Sequence, residues 1–228
     1  MAETKKIRVA ILDDHQSIID GYLYRLNRAS DIEVVATASY AGEFEEVIAK
    51  CRPDVLILDV FVPTSQENSN PYPILQIMPK WRGMYPNLAI LVISMYNLRT
   101  LVKAVMDAGA NGYILKEDKD TIKKLDYVIK IVADGGIYFS KPVYEALSKG
   151  STREINLTPR QMQVLSLCAA HPDATTDELA GLMGIENSTV RNLLSDTYQR
   201  LNVSNRTAAI SRAMQLGIIP TPKPQPEI

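Results

Sequence analysis

Ile7-Arg-Val-Ala-Ile-Leu-Asp-Asp14 is the stretch from which the fold can be read. Its first six residues are apolar except Arg8, and two adjacent carboxylates end the run. An almost unbroken apolar run of this length is what a strand looks like when both of its faces are covered. Working outward, Ile32-Glu-Val-Val-Ala36, Val55-Leu-Ile-Leu58, Leu88-Ala-Ile-Leu-Val-Ile93 and Tyr113-Ile-Leu115 have the same character. Between them, residues 17–29, 41–50, 98–108 and 121–133 carry apolar positions at helical spacing. Five strands alternating with helices predict a parallel, doubly wound α/β sheet over residues 5–135.

The pattern changes after residue 135. Residues 136–156 read as a linker holding a short helix at 142–149, and beyond Leu157 no strand-like run remains. Thr158 followed by Pro159 marks a helix start, since proline costs nothing at the first helical position. Thr176 is expected to cap a second helix, Asn187 or Ser188 begins a third, and Ser204 or Asn205 begins a fourth. The second unit, residues 157–219, is therefore expected to be an all-α four-helix domain. Alternating prolines make 220–228 an extended, mobile tail.

Charge narrows the function. Lys+Arg 25 against Asp+Glu 26 excludes nonspecific coating of nucleic acid, where net positive charge alone supplies the affinity. Cys51 and Cys168 have no metal-ligand spacing and read as reduced thiols. The first residues contain no apolar stretch of signal-peptide length, and no run approaches the roughly 20 residues that span a bilayer. A cytoplasmic protein without a membrane partner is the expectation.

In an open parallel sheet, function gathers at the carboxyl ends of the strands. Those ends carry Asp13-Asp14, Asp59, Ser94 and Lys116. Carboxylates converging on one rim repel one another, and a divalent cation relieves that repulsion. Hard oxygen donors suit Mg²⁺, which retains waters and accepts a phosphate oxygen. Ser94 can hydrogen-bond a phosphoryl oxygen, Lys116 can pair with another, and a carboxylate can serve as nucleophile to give an acyl phosphate.

Ala-Ile-Leu-Asp-Asp-His15, Asp-Val-Leu-Ile-Leu-Asp59, Leu-Val-Ile-Ser94 and Gly-Tyr-Ile-Leu-Lys116 resemble the receiver domain of bacterial two-component response regulators. The resemblance implies a flavodoxin-like sheet in which Asp59 accepts phosphate from a sensor histidine kinase. It implies Mg²⁺ on Asp13, Asp14, Asp59 and the backbone carbonyl of Phe61. Ser94 would be the switch hydroxyl, Tyr113 the switch aromatic and Lys116 the phosphate-pairing ammonium. Where such domains usually carry a glycine, position 67 is Glu67, and residues 64–73 form a lengthened polar loop.

In the helical half, turns near 172–174 and 184–186 fit a helix-turn-helix whose second helix enters the major groove. On that helix Val190, Leu193 or Leu194, Thr197 and Leu201 would face the core, and Arg191, Asn192, Ser195 and Gln199 the other side. Arginine can read guanine, and asparagine or glutamine adenine. Leu-Thr-Pro-Arg-Gln-Met-Gln-Val-Leu165, Asp-Glu-Leu-Ala180, Ser-Thr-Val-Arg-Asn192 and Asn-Arg-Thr-Ala-Ala209 resemble the LuxR-type DNA-binding domain. Receiver plus this domain is similar to the NarL/FixJ subfamily. That likeness implies DNA contacts from Thr189, Arg191, Asn192 and Ser195, with the last helix, 205–215, serving dimerisation.

The sequence departs from that pattern at Gln161 and Leu193, and the reading helix carries Asp196. Residues 151–228 hold seven basic and seven acidic side chains, so a single copy should bind duplex DNA weakly and a homodimer is expected. The chain is thus expected to be a transcriptional regulator and not an enzyme. A haloacid-dehalogenase-type phosphatase would need an aspartate two places after Asp59, where Phe61 stands. The alternative is a phosphate-independent or DNA-binding-deficient receiver acting as a protein–protein adaptor.

Overall fold

The computed structural model describes residues 5–42, 44–148 and 157–219. Six parallel strands form one sheet in the order β2-β1-β3-β4-β5-β6. They are β1 (Ile7–Leu12), β2 (Ile32–Ala38), β3 (Val55–Leu58), β4 (Ala89–Ser94), β5 (Gly112–Leu115) and β6 (Tyr138–Phe139). The covering helices are α1 (Gln16–Leu26), α2 (Phe44–Cys51), α3 (Ile74–Met84), α4 (Arg99–Asp107), α5 (Lys119–Lys123) and α6 (Leu125–Ala133), and α7 (Lys141–Ser148) follows the sheet.

Strand alternation sends side chains to two cores. Val9, Ile11, Val55, Ile57, Leu91, Ile93 and Ile114 meet Ile19, Tyr22 and Leu26 of α1 and Leu125, Val128, Ile129 and Val132 of α6. Ala10, Leu12, Leu56, Leu58, Ile90, Val92 and Tyr113 meet α2, α3 and α4, where Phe44 lies tilted against Trp81. Burial on both faces explains why the strands read as unbroken apolar runs.

The sheet has six strands, one more than the five expected. Tyr138 and Phe139 lie in the stretch read as linker and pair with Gly112 and Tyr113. Gly112 permits this approach, because a Cβ there would sit 2.7 Å from the Tyr138 carbonyl oxygen. Two residues are too few to show a period, which is why the strand escapes a sequence reading. The short helix expected at 142–149 is present as α7, anchored by buried Val143. The helix expected over 121–133 is two helices, broken at Lys124, with Asp118 capping α5 by accepting from the Thr121 N–H. Residues 149–156 and the proline-rich tail lie outside the described residues.

The second half contains α8 (Pro159–Ala170), α9 (Thr176–Met183), α10 (Asn187–Leu201) and α11 (Arg206–Gln215). Thr158 caps α8 as expected, in a reciprocal capping box with Gln161. The cap of α9 is Thr175 and not Thr176, because Glu178, three residues on, returns the bond to the Thr175 N–H. Asn205 caps α11. Val164, Leu167, Cys168, Leu179, Met183, Val190 and Leu194 form the local core, and both cysteines are free thiols. Burial pushes the Cys168 thiol up to about 11.

Candidate phosphoacceptor rim and DNA-reading helix

The strands bring Asp13, Asp59 and Lys116 to one buried spot. The Asp59 N–H donates to the Leu12 carbonyl at 2.8 Å, and the Lys116 N–H to the Ser94 carbonyl at 2.8 Å, so the strand ends are tied side by side. Lys116 Nζ lies 2.6 Å from Asp13 Oδ2 and 2.6 Å from Asp59 Oδ2. The Phe61 N–H donates to Asp59 Oδ1 at 3.2 Å. His15 adds a nitrogen to the group, with Nδ1 2.7 Å from Asp14 Oδ1 and its N–H on Asp13 Oδ1 at 3.0 Å.

Burial governs the titration of this rim. Asp59 is pushed above the ordinary carboxylate range by desolvation, with Asp13 adding repulsion and Lys116 only partly offsetting it. Burial pulls the Lys116 ammonium down, yet attraction by Asp59 and Asp13 outweighs it and leaves the group above its usual value. Lys116 therefore stays charged, and it is the counter-ion that allows two carboxylates to be buried together.

The donor set suits a hard divalent cation. One ligand atom from each of Asp13, Asp14, His15 and Asp59 lies within 4.8 Å of the others. Carboxylate oxygens dominate the cluster, which is the chemistry Mg²⁺ selects. Phe61 is held beside this cluster by its N–H bond to Asp59.

Ser94, fully buried at the end of β4, accepts from the Tyr96 N–H at 3.3 Å. Tyr113 is buried and donates its hydroxyl to the Tyr96 carbonyl at 2.6 Å. Burial raises the Tyr113 phenol above its ordinary value and keeps it a neutral donor. Sequence reasoning placed Ser94 and Tyr113 but missed Tyr96, through which the two are joined. The available signal was an aromatic two positions past the strand-end serine.

The polar loop at 64–73 folds back on itself. Pro63 and Pro71 form an antiparallel bridge, and Thr64, Ser65 and Tyr72 donate N–H groups to Asn70, Asn68 and Val62 carbonyls. The loop is fastened to the start of α2, because the Gly42 N–H donates to Thr64 and the Tyr72 hydroxyl to Glu45.

On α10, Val190, Leu194, Thr197 and Leu201 are buried. Thr189, Arg191, Asn192, Ser195, Asp196 and Gln199 are exposed along the opposite side. Of the open choice for the core position, Leu194 is buried, and Leu193 is half-buried against the same cluster. Leu193 thus packs and does not join the exposed row.

Residues 9–126 match the response regulator receiver domain. The chain belongs to the response regulators. Residues 155–213 match the bacterial regulatory proteins of the luxR family, giving the NarL/FixJ combination of a receiver with a LuxR-type DNA-binding domain. The chain is 28% identical over 221 residues to the transcriptional regulatory protein MctR of Rhizobium johnstonii, covering 96% of this chain and 98% of that protein. It is 29% identical over 236 residues to the transcriptional regulatory protein DegU of Brevibacillus brevis, covering 93% and 94%. Among solved structures it is similar in fold to RcsB from Salmonella enterica serovar Typhimurium bound to promoter rprA with phosphomimetic BeF3-, at TM-score 0.66 and 21% identity over 91% of this chain and 98% of that one. Among the described residues, no helix is long and apolar enough to cross a membrane.

Proposed function

We propose that this response regulator is phosphorylated on Asp59 by a sensor histidine kinase and, as a homodimer, binds duplex DNA to control transcription. One observation carries the reading: a buried Asp59 carboxylate at a strand end, held 2.6 Å from the Lys116 ammonium and beside Asp13 and Asp14. An Asp59 oxygen attacks the phosphorus of a phosphohistidine or small acyl phosphate. The new O–P bond gives an aspartyl phosphate as the donor's bond to phosphorus breaks and the donor keeps that electron pair. Lys116, already charged in the site, pairs with the arriving phosphoryl oxygens, and the Ser94 hydroxyl donates to another. Asp13, Asp14, Asp59 and the Phe61 carbonyl would hold Mg²⁺, which when bound offsets the negative charge of the transferring group.

At the other end, Thr189, Arg191, Asn192 and Ser195 present the exposed side of α10 to the major groove. A kinase-fed, DNA-binding regulator of this kind works in the cytoplasm.

Incubation with acetyl phosphate and Mg²⁺ should add one phosphoryl group by intact mass, and Asp59→Asn should add none. An unmodified wild-type protein in that assay would remove the mechanism. The even charge of residues 151–228 favours the adaptor as second reading. Enrichment of a sequence from random duplexes by the phosphorylated protein would exclude it, and no enrichment at low salt would support it.

A further inference from the structure

His15 immediately precedes α1, the position from which a side chain usually accepts from the first N–H groups of a helix. Its imidazole makes no such bond. The backbone binds those groups instead, with the Ile18 and Ile19 N–H groups on the His15 carbonyl at 3.0 and 3.1 Å. The side chain turns toward the acidic rim. Its Nδ1 lies 2.7 Å from Asp14 Oδ1 and 3.4 Å from Asp13 Oδ1, and both of those carboxylates are nearly buried. The His15 backbone N–H also donates to Asp13 Oδ1, so this residue meets the rim twice.

Those separations are the ones that neighbouring donors take around a single ion. Bonds of about 2.1 Å at octahedral angles put adjacent ligand atoms about 3.0 Å apart and opposite ones about 4.2 Å apart. The two nitrogen–oxygen distances fall on either side of the adjacent value. One ligand atom from each of Asp13, Asp14, His15 and Asp59 lies within 4.8 Å of the others, which accommodates the opposite value as well. A cation drawn to the carboxylates therefore arrives beside an imidazole nitrogen. A neutral imidazole can carry its proton on Nε2 and offer the Nδ1 lone pair, so no proton has to leave the site.

We propose that His15 Nδ1 is a ligand of the rim's cation, and that this nitrogen shifts the preference of the site from Mg²⁺ toward transition ions such as Mn²⁺ and Zn²⁺. This rests on Asp13, Asp14 and Asp59 holding a divalent cation. Mg²⁺ is hard, gives up its waters reluctantly and gains little from an imidazole. Carboxylates, carbonyls and water suit Mg²⁺ and Mn²⁺ alike, whereas affinity for a site with nitrogen rises from Mn²⁺ toward Zn²⁺. His15 is thus the donor at this rim that tells these ions apart.

Pulsed EPR on the full chain loaded with a stoichiometric amount of Mn²⁺ reads the coordination directly, because a ligating imidazole nitrogen couples to the electron spin. The chain has two histidines, and the other, His171, lies at the end of α8 in the helical half. Wild type and His171→Ala should both show the nitrogen coupling, and His15→Ala should lose it. Coupling in His171→Ala assigns the nitrogen to His15 even where His15→Ala fails to fold. In metal titrations, His15→Ala should weaken Zn²⁺ binding roughly tenfold or more and Mg²⁺ binding less than about threefold. Bound Mn²⁺ without nitrogen coupling in wild type, or coupling that survives in His15→Ala, overturns the proposal. Equal weakening of both ions in a His15→Ala protein that still melts cooperatively overturns the shift in preference. A wild type that binds no Mn²⁺ at all overturns the cation reading of the rim, and the part of His15 with it.

Discussion

The two functional ends of this protein handle charge in opposite ways. At the rim, Asp13, Asp59 and Lys116 are almost completely buried, and each is held by another's charge. On α10, Arg191, Asp196 and their neighbours stand in solvent, and the charges of residues 151–228 cancel. Buried charges interact strongly and tolerate no missing partner, whereas exposed ones are screened and individually cheap to change. The rim should therefore fail abruptly under substitution, and the reading face should respond by degrees.

The sharpest break is Lys116→Met. Removing the ammonium that contacts both buried carboxylates should slow phosphoryl uptake from acetyl phosphate roughly hundredfold, read as the rate of mass gain. A rate within a few-fold of wild type would mean that the rim does not depend on its paired charges. On the exposed side, Asp196→Lys should strengthen binding to a selected duplex by about tenfold at low salt and steepen the salt dependence. An unchanged salt slope would show that this face of α10 does not approach phosphates.

The smallest effect is one of stability. Because burial raises Asp59 above the ordinary carboxylate range, the folded chain binds that proton more tightly than the unfolded chain. Ionised Asp59 thus costs stability at neutral pH, and the cost fades as pH falls through the raised value. In chelator at pH 8, Asp59→Asn should melt a few degrees higher, on the scale of about 2–4 °C per kcal/mol, and its advantage should shrink toward pH 4. A variant that melts lower at pH 8 would show that the Lys116 pairing outweighs desolvation.

The rim was legible because parallel topology makes strand ends converge, so the positions of Asp13, Asp14, Asp59, Ser94 and Lys116 at strand ends assign them to one edge of the sheet. The core side of α10 was legible for the matching reason that helical spacing sorts Val190, Thr197 and Leu201 inward. Tyr96 was not, because it joins Ser94 to Tyr113 through its backbone N–H and carbonyl, and a contact of that kind leaves no periodic trace. The Thr175 cap was misassigned by one residue because two adjacent threonines offer the same hydroxyl and only Glu178 decides between them. The loop at 64–73 announced its length and polarity, but its bridge between Pro63 and Pro71 is a pairing that local composition does not encode.

The strand at Tyr138–Phe139 also determines where the receiver can be cut. Just past it, the Ser140 N–H donates to the Tyr113 carbonyl at 3.2 Å, and Ser140 Oγ accepts the Leu115 N–H at 3.3 Å. A fragment stopped at residue 135, where the sequence pattern alone would end it, strips those clamps from the strand that carries Tyr113 and leads into Lys116. It also leaves a bare strand edge, a template for self-association. A fragment ending at Ser148 keeps the clamps and all of α7 with its buried Val143, so the chemistry of Asp59 can be studied in it free of the helical half.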